Sequence, residues 1–154
     1  MDQEVTVDTT YPAIGEIFEL TLDADDPLAD PIWMVRKDGD IYEDAERWSF
    51  TGTRLVGIHT RRFKLADIGH QLSFDAVRSA LEEYGRIPEG QWRHAFEVRY
   101  RKAHGGLVGF ADSSWVDSEG ATRFPYFFGI GNTRFNWTLR DFHDRWLWVV
   151  EVSK

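Results

Sequence analysis

The sequence predicts an α+β fold, a mainly antiparallel sheet that is curved or closed into a half-open barrel, with one or two helices packed on one face. Three patterns lead there. Several short segments alternate apolar and polar residues with a period of two, one segment repeats its apolar residues at helical spacing, and turn residues punctuate the rest. At 154 residues the chain has the length of one domain, 1–154, with enough material for a hydrophobic core.

Taken in order, Glu4 to Asp8 sets Val5 and Val7 between acids and threonines, and Glu16 to Asp23 sets Phe18, Leu20 and Leu22 against Glu19, Thr21 and Asp23. Both read as half-buried antiparallel strands joined through Tyr11–Gly15. Asp23 to Pro31, with four aspartates and two prolines, reads as a loop feeding a short strand, Ile32–Val35. Asp38-Gly39 then predicts a tight hairpin into Ile41-Tyr42. Trp48–Thr51 and Arg54–Leu65 read as two further strands, neighbours across the Gly52 turn, because both are rich in β-branched and aromatic residues.

The period then changes. Ser73 is a capping residue, Asp75 falls in the first turn, and Phe74, Val77, Leu81 and Tyr84 share one face before Gly85, which predicts a helix. Residues 87–103 fit both periods, and Pro88 ahead with Gly105-Gly106 behind favours helix. Strands follow at Leu107–Phe110, Trp115-Val116 and Thr122–Phe128, the last two joined by a turn at 117–120. Phe135, Trp137 and Leu139 alternate, a charged corner runs from Arg140 to Arg145, and Trp146–Val152 is apolar on both alternating sets. Such a strand is expected to be covered on both faces and central in its sheet.

The composition narrows the function classes. There is no cysteine, hence no disulfide, thiolate nucleophile or sulfur-ligated zinc, which suits a reducing cytoplasm. The start is acidic where a secretory signal would be basic, and no apolar run approaches the roughly twenty residues of a bilayer helix, so a soluble, cytoplasmic protein is expected. Fourteen of the eighteen basic residues are arginine, a bias that fits codon usage in a GC-rich prokaryotic genome.

Charge is the most informative pattern. The first 46 residues hold fourteen carboxylates against Arg36 and Lys37, so the net charge of −8 divides into −12 on that part and +4 on the remainder. A chain of this kind carries a directional field, and its overall acidity argues against nucleic acid as a partner. The basic patches His59–Lys64 and Arg99–Lys102 interleave aromatics as single-strand binders do, but they suit docking of the chain's own acidic part. Asp23, Asp25, Asp26 and Asp30 form the densest acidic loop. As an EF-hand it fails, with Leu28 where glycine is needed and Met34 where a bidentate glutamate is needed, so no metal and no cofactor is expected.

The remaining chemistry is sparse. His143 lies between Asp141 and Asp144, and Asp112 precedes Ser113-Ser114, a set that could serve a small hydrolase or lyase beside an aromatic pocket. No GxSxG elbow is present, and Gly129–Asn132 reads as a turn and not as a phosphate loop. Eleven of the twenty-three aromatics crowd the last third, and Trp115, Trp137 and Trp146 are candidates to bind a carbohydrate or another small ligand if exposed. The expectation that the charge split favours is a non-catalytic, immunity-like or inhibitor-like domain that presents Asp23, Asp25, Asp26 and Asp30 to a basic protein partner.

Overall fold

The computed structural model describes residues 8–38 and 44–153. The expected strand at Glu4–Asp8 and the expected hairpin turn after Asp38 therefore fall almost entirely outside the described residues.

Alternation produces β1 (Phe18–Asp23), where Phe18, Leu20 and Leu22 turn inward and Glu19, Thr21 and Asp23 outward. A one-turn 3-10 helix at Pro27–Ala29 follows, then α1 (Pro31–Lys37). This corrects the expectation of a strand at Ile32–Val35. The Asp30 carboxylate accepts hydrogen bonds from the Ile32 and Trp33 amides, Pro31 supplies a helix-ready φ, and Arg36 and Lys37 end the helix. Four consecutive apolar residues carry no period of their own, and the cap decides. Met34 and Val35 face the core.

The next strands are β2 (Ser49–Phe50) and β3 (Ile58–Ala66). They are not neighbours. β3 lies between β1 and β8 (Leu147–Val152), whereas β2 pairs with β5 (Trp115–Val116) at the other end of the sheet. Gly52 does not close a hairpin. It lies against Ser114, so close that a Cβ would fall 2.5 Å from Ser114 Oγ, and Thr51 N donates to Ser114 O at 2.7 Å.

Helix α2 (Phe74–Leu81) is capped by Ser73 Oγ accepting from Ala76 N, and buries Phe74, Val77 and Leu81 as its spacing predicts. The ambiguous segment forms α3 (Trp92–Tyr100). Gln91 precedes it without a side-chain cap; its amide instead accepts from Leu55 N and donates to Ala29 O, which ties two other segments to the start of the helix.

The remaining strands are β4 (Val108–Gly109), β6 (Thr122–Phe128) and β7 (Asn132–Trp137). The sheet runs β1-β3-β8-β4-β6-β5-β2, with β7 paired to β6, and only β4 with β8 is parallel. The α+β expectation holds, as an eight-stranded, mostly antiparallel sheet that does not close into a barrel. The two longer helices cover opposite faces. α3 packs with Phe18, Leu20, Phe63, Leu65 and Val149, while α2 packs with Ala66, Phe124, Trp148 and Val150. Consecutive β8 residues therefore enter different cores, which is why both alternating sets of that central strand are apolar. Trp48, Trp115 and Phe135 form a third cluster beneath α1.

Candidate functional site

At the end of β1 the chain turns through its acidic loop, and each aspartate there captures a backbone amide. Asp23 Oδ1 accepts from Asp25 N at 3.1 Å, Asp25 Oδ1 from Gly57 N at 3.1 Å, and Asp26 Oδ1 from Leu28 N at 2.9 Å. Short acidic side chains compete in this way for nearby N–H groups. The carboxylates thus fix the loop's shape through backbone donors. Asp23 and Asp25 are exposed, and Asp26 and Asp30 are half-buried. Asp30 alone of the four pairs with an arginine, Arg54. Its two helix amides and that guanidinium hold its carboxyl below the usual range, against the opposing effect of burial.

Beside this loop the sheet is uncovered. Ile58 pairs with Asp23 at the β1–β3 end, Ala24 N donates to Gly57 O at 2.8 Å, and Val56 and Ile58 are 73% and 72% exposed. Leu28 is exposed as well. Exposed Val56 and Ile58 are thereby brought beside Asp23 and Asp25, more than thirty positions away in sequence. Sequence reading finds the acids but not the aliphatic partners, because Ile58 stands on the outward set of β3, opposite in parity to Phe63 and Leu65, and its exposure there depends on what the rest of the fold leaves uncovered.

The basic patches divide. Arg99 Nε donates to Asp8 at 2.8 Å, which is the expected docking onto the acidic part. Arg61 instead joins Glu89 and Glu151 at 3.2 and 3.1 Å. A further acid is neutralised internally, because Asp38 makes a two-pronged ion pair with Arg93 at 3.0 and 3.1 Å, both side chains fully buried.

His143, Asp141 and Asp112 share no hydrogen bond or ion pair among the described residues. Asp141 Oδ2 meets His70 Nε2 at 3.1 Å, and that contact lowers the carboxyl's proton affinity. His143 Nδ1 accepts from Arg145 N at 3.1 Å within the corner. Asp112 accepts from Gly90 N at 2.7 Å on one oxygen and from Ser114 on the other, so both oxygens are engaged in joining two loops.

The three tryptophans also separate. Trp115 is wholly buried and its indole N–H donates to Pro31 O at 3.0 Å. Trp146 stacks on Trp148, rings 5.2 Å apart, inside the α2-side core. Trp137, at the end of β7, is 50% exposed and lines an open cleft of about 610 Å³. The Arg123 guanidinium lies 4.2 Å from the centre of its ring and 5.0 Å from that of Trp48, held there by Asp117 Oδ2 at 2.9 Å. Arg134, Asn136 and Arg140 line the same cleft, as do Asp44 and Glu119.

Among the described residues, no three histidine, aspartate or glutamate side chains converge as metal ligands would, and no helix is long and apolar enough to cross a membrane. No family model, curated protein or solved structure matches the chain.

Proposed function

We propose that the chain is a non-catalytic binding domain that docks a basic protein partner through the Asp23–Asp30 loop and the adjoining Val56 and Ile58. The observation that carries this reading is that Asp23, Asp25 and Asp26 are held by backbone amides and not by arginines, beside two aliphatic side chains more than 70% exposed. Large aliphatic groups in water are the exception that marks interaction surfaces, and an acidic rim around them selects a cationic, partly apolar partner. The rim steers encounter and the aliphatic centre holds the complex.

The test is to capture partners from a lysate of the source cells with the native chain and with Asp23→Asn/Asp25→Asn/Asp26→Asn. The on-rate of each basic protein retained by the native chain alone is then measured at rising ionic strength. Steering by several charges changes association by about tenfold or more, and salt weakens it. A partner that associates equally fast with the triple variant, or at a rate indifferent to salt, refutes the acidic docking face. Val56→Ser/Ile58→Ser should instead speed dissociation.

A further inference from the structure

We infer that the Trp137 cleft binds a flat ring carrying a compact anion, the chemistry of a nucleoside monophosphate. The reading does not depend on the acidic docking face and concerns a separate set of residues.

Two arginines of the cleft are the reason for the anion. Arg134 Nη1 donates to Thr133 O at 2.7 Å, and Arg140 donates to Asn136 Oδ1 at 3.2 Å and to Asp141 O at 3.3 Å. All these acceptors are neutral, and neither guanidinium forms an ion pair with a carboxylate among the described residues. The neighbouring Asp141 carboxylate feels the charge of Arg140 but does not hydrogen-bond to it, so a compact anion from outside would give both guanidiniums a charged acceptor where they now have neutral ones. Asn136 lies between them in β7 and is buried, which fixes the acceptor that orients Arg140.

Trp137 is the reason for the ring. One face of its indole lies against the Arg123 guanidinium, and Asp117 together with Phe135 O, at 3.2 Å, holds that arginine in place. The ring is thereby held on one face by a fixed cation, and half of the Trp137 surface remains exposed at the cleft it lines. A cation on one face draws π density towards itself and makes the other face less attractive to the polarised C–H groups of a sugar. An electron-rich planar ring suits that face better. The acids of the cleft limit the charge. Asp117 is matched by Arg123, while Asp44 and Glu119 leave the rim negative enough to favour one phosphate over a polyphosphate. The volume of about 610 Å³ lies in the range of small-molecule sites.

Titration of the full chain with adenosine monophosphate, read by calorimetry and by tryptophan fluorescence, tests this against adenosine, inorganic phosphate, glucuronate and glucose. Saturable binding of the nucleotide, about tenfold or more tighter than of adenosine or phosphate alone, is expected. Trp137→Leu should remove the ring contribution, leaving affinity near that of phosphate. Arg140→Gln, at an exposed position that leaves packing intact, should weaken the nucleotide about tenfold and leave adenosine unchanged. Should Trp137→Leu fail to fold, Arg140→Gln decides alone. Absence of saturable binding by the nucleotide, an Arg140→Gln affinity equal to the native one, or tighter binding of glucuronate or glucose would overturn the assignment.

Discussion

Replacing Arg93 by methionine should be among the costliest single changes in this protein. The guanidinium is inaccessible to water, donates through Nη1 and Nη2 to Asp38 and through Nη1 to Arg134 O at 2.8 Å, and lies 4.6 Å from the centre of the Phe135 ring. Methionine preserves most of the buried volume and removes the charge. Among the described residues, the Asp38 carboxylate, itself without exposure, would keep the Thr133 hydroxyl as its one side-chain donor. Breaking one partner of a buried pair costs about 3–5 kcal/mol, because the other charge is left uncompensated in a poor solvent for ions. Set against a total stability of about 5–15 kcal/mol, this is about a fifth of the whole or more. At about 2–4 °C per kcal/mol for a chain of this size, the midpoint should fall by about 6–20 °C. Urea unfolding followed by far-ultraviolet dichroism and tryptophan fluorescence measures it, with coincident transitions and an unchanged slope as the check on two-state behaviour. The double variant Arg93→Met/Asp38→Leu should recover most of the loss, since it removes the stranded charge as well. A single-variant cost below about 1 kcal/mol, or a double variant costing the sum of the two singles, would refute the reasoning.

Further consequences can be measured in the same way. Gly109→Ala would place a Cβ 2.5 Å from the Trp148 ring in the sheet centre, and overpacking of this kind should cost about 1–3 kcal/mol; a neutral substitution would show that the ring yields freely. His94 is buried, its Nδ1 has no hydrogen-bond partner among the described residues, and burial, assisted by Lys37, lowers its pKa; Glu97 at 3.9 Å and Asp26 at 3.8 Å oppose the shift. The unfolded chain therefore takes up this proton first, so stability is fully present at neutral pH and declines as pH falls from about 6.5 towards the folded value. His94→Gln should flatten that part of the stability profile, and an unchanged slope between about pH 5 and 7 would rule the histidine out. The Asp30 and Glu89 carboxyls, both held low in the fold, add their loss at more acidic pH, below their ordinary range, so the two effects separate along the titration.

Which features could be read in advance follows from the range of the forces involved. Alternation places Phe18, Leu20 and Leu22 inward, and the helical spacing of Phe74, Val77 and Leu81 with its Ser73 cap marks α2, because both depend on a residue and its near neighbours. The double-sided burial of β8 is legible for the same reason. Ile32–Val35 is misread because a four-residue apolar run has no period, and the decisive signal, Asp30 followed by Pro31, stands just outside it. Asp141 next to His143 suggests a pair, yet its partner is His70, seventy-one residues away. Arg93 looks like any helical arginine, and nothing local says that it is buried on Asp38.

The α+β class, the strand and helix periods, the charge division and the density of aspartates between β1 and α1 are legible in the chain before it folds, since these are properties of composition and short-range order. Folding alone settles that β2 joins β5 and not β3, that Trp115 and Trp146 are core while Trp137 lines a cleft, and that Val56 and Ile58 stand uncovered beside Asp23 and Asp25. Burial and pairing are set by which distant surfaces exclude water together, and that competition is resolved over the whole chain at once.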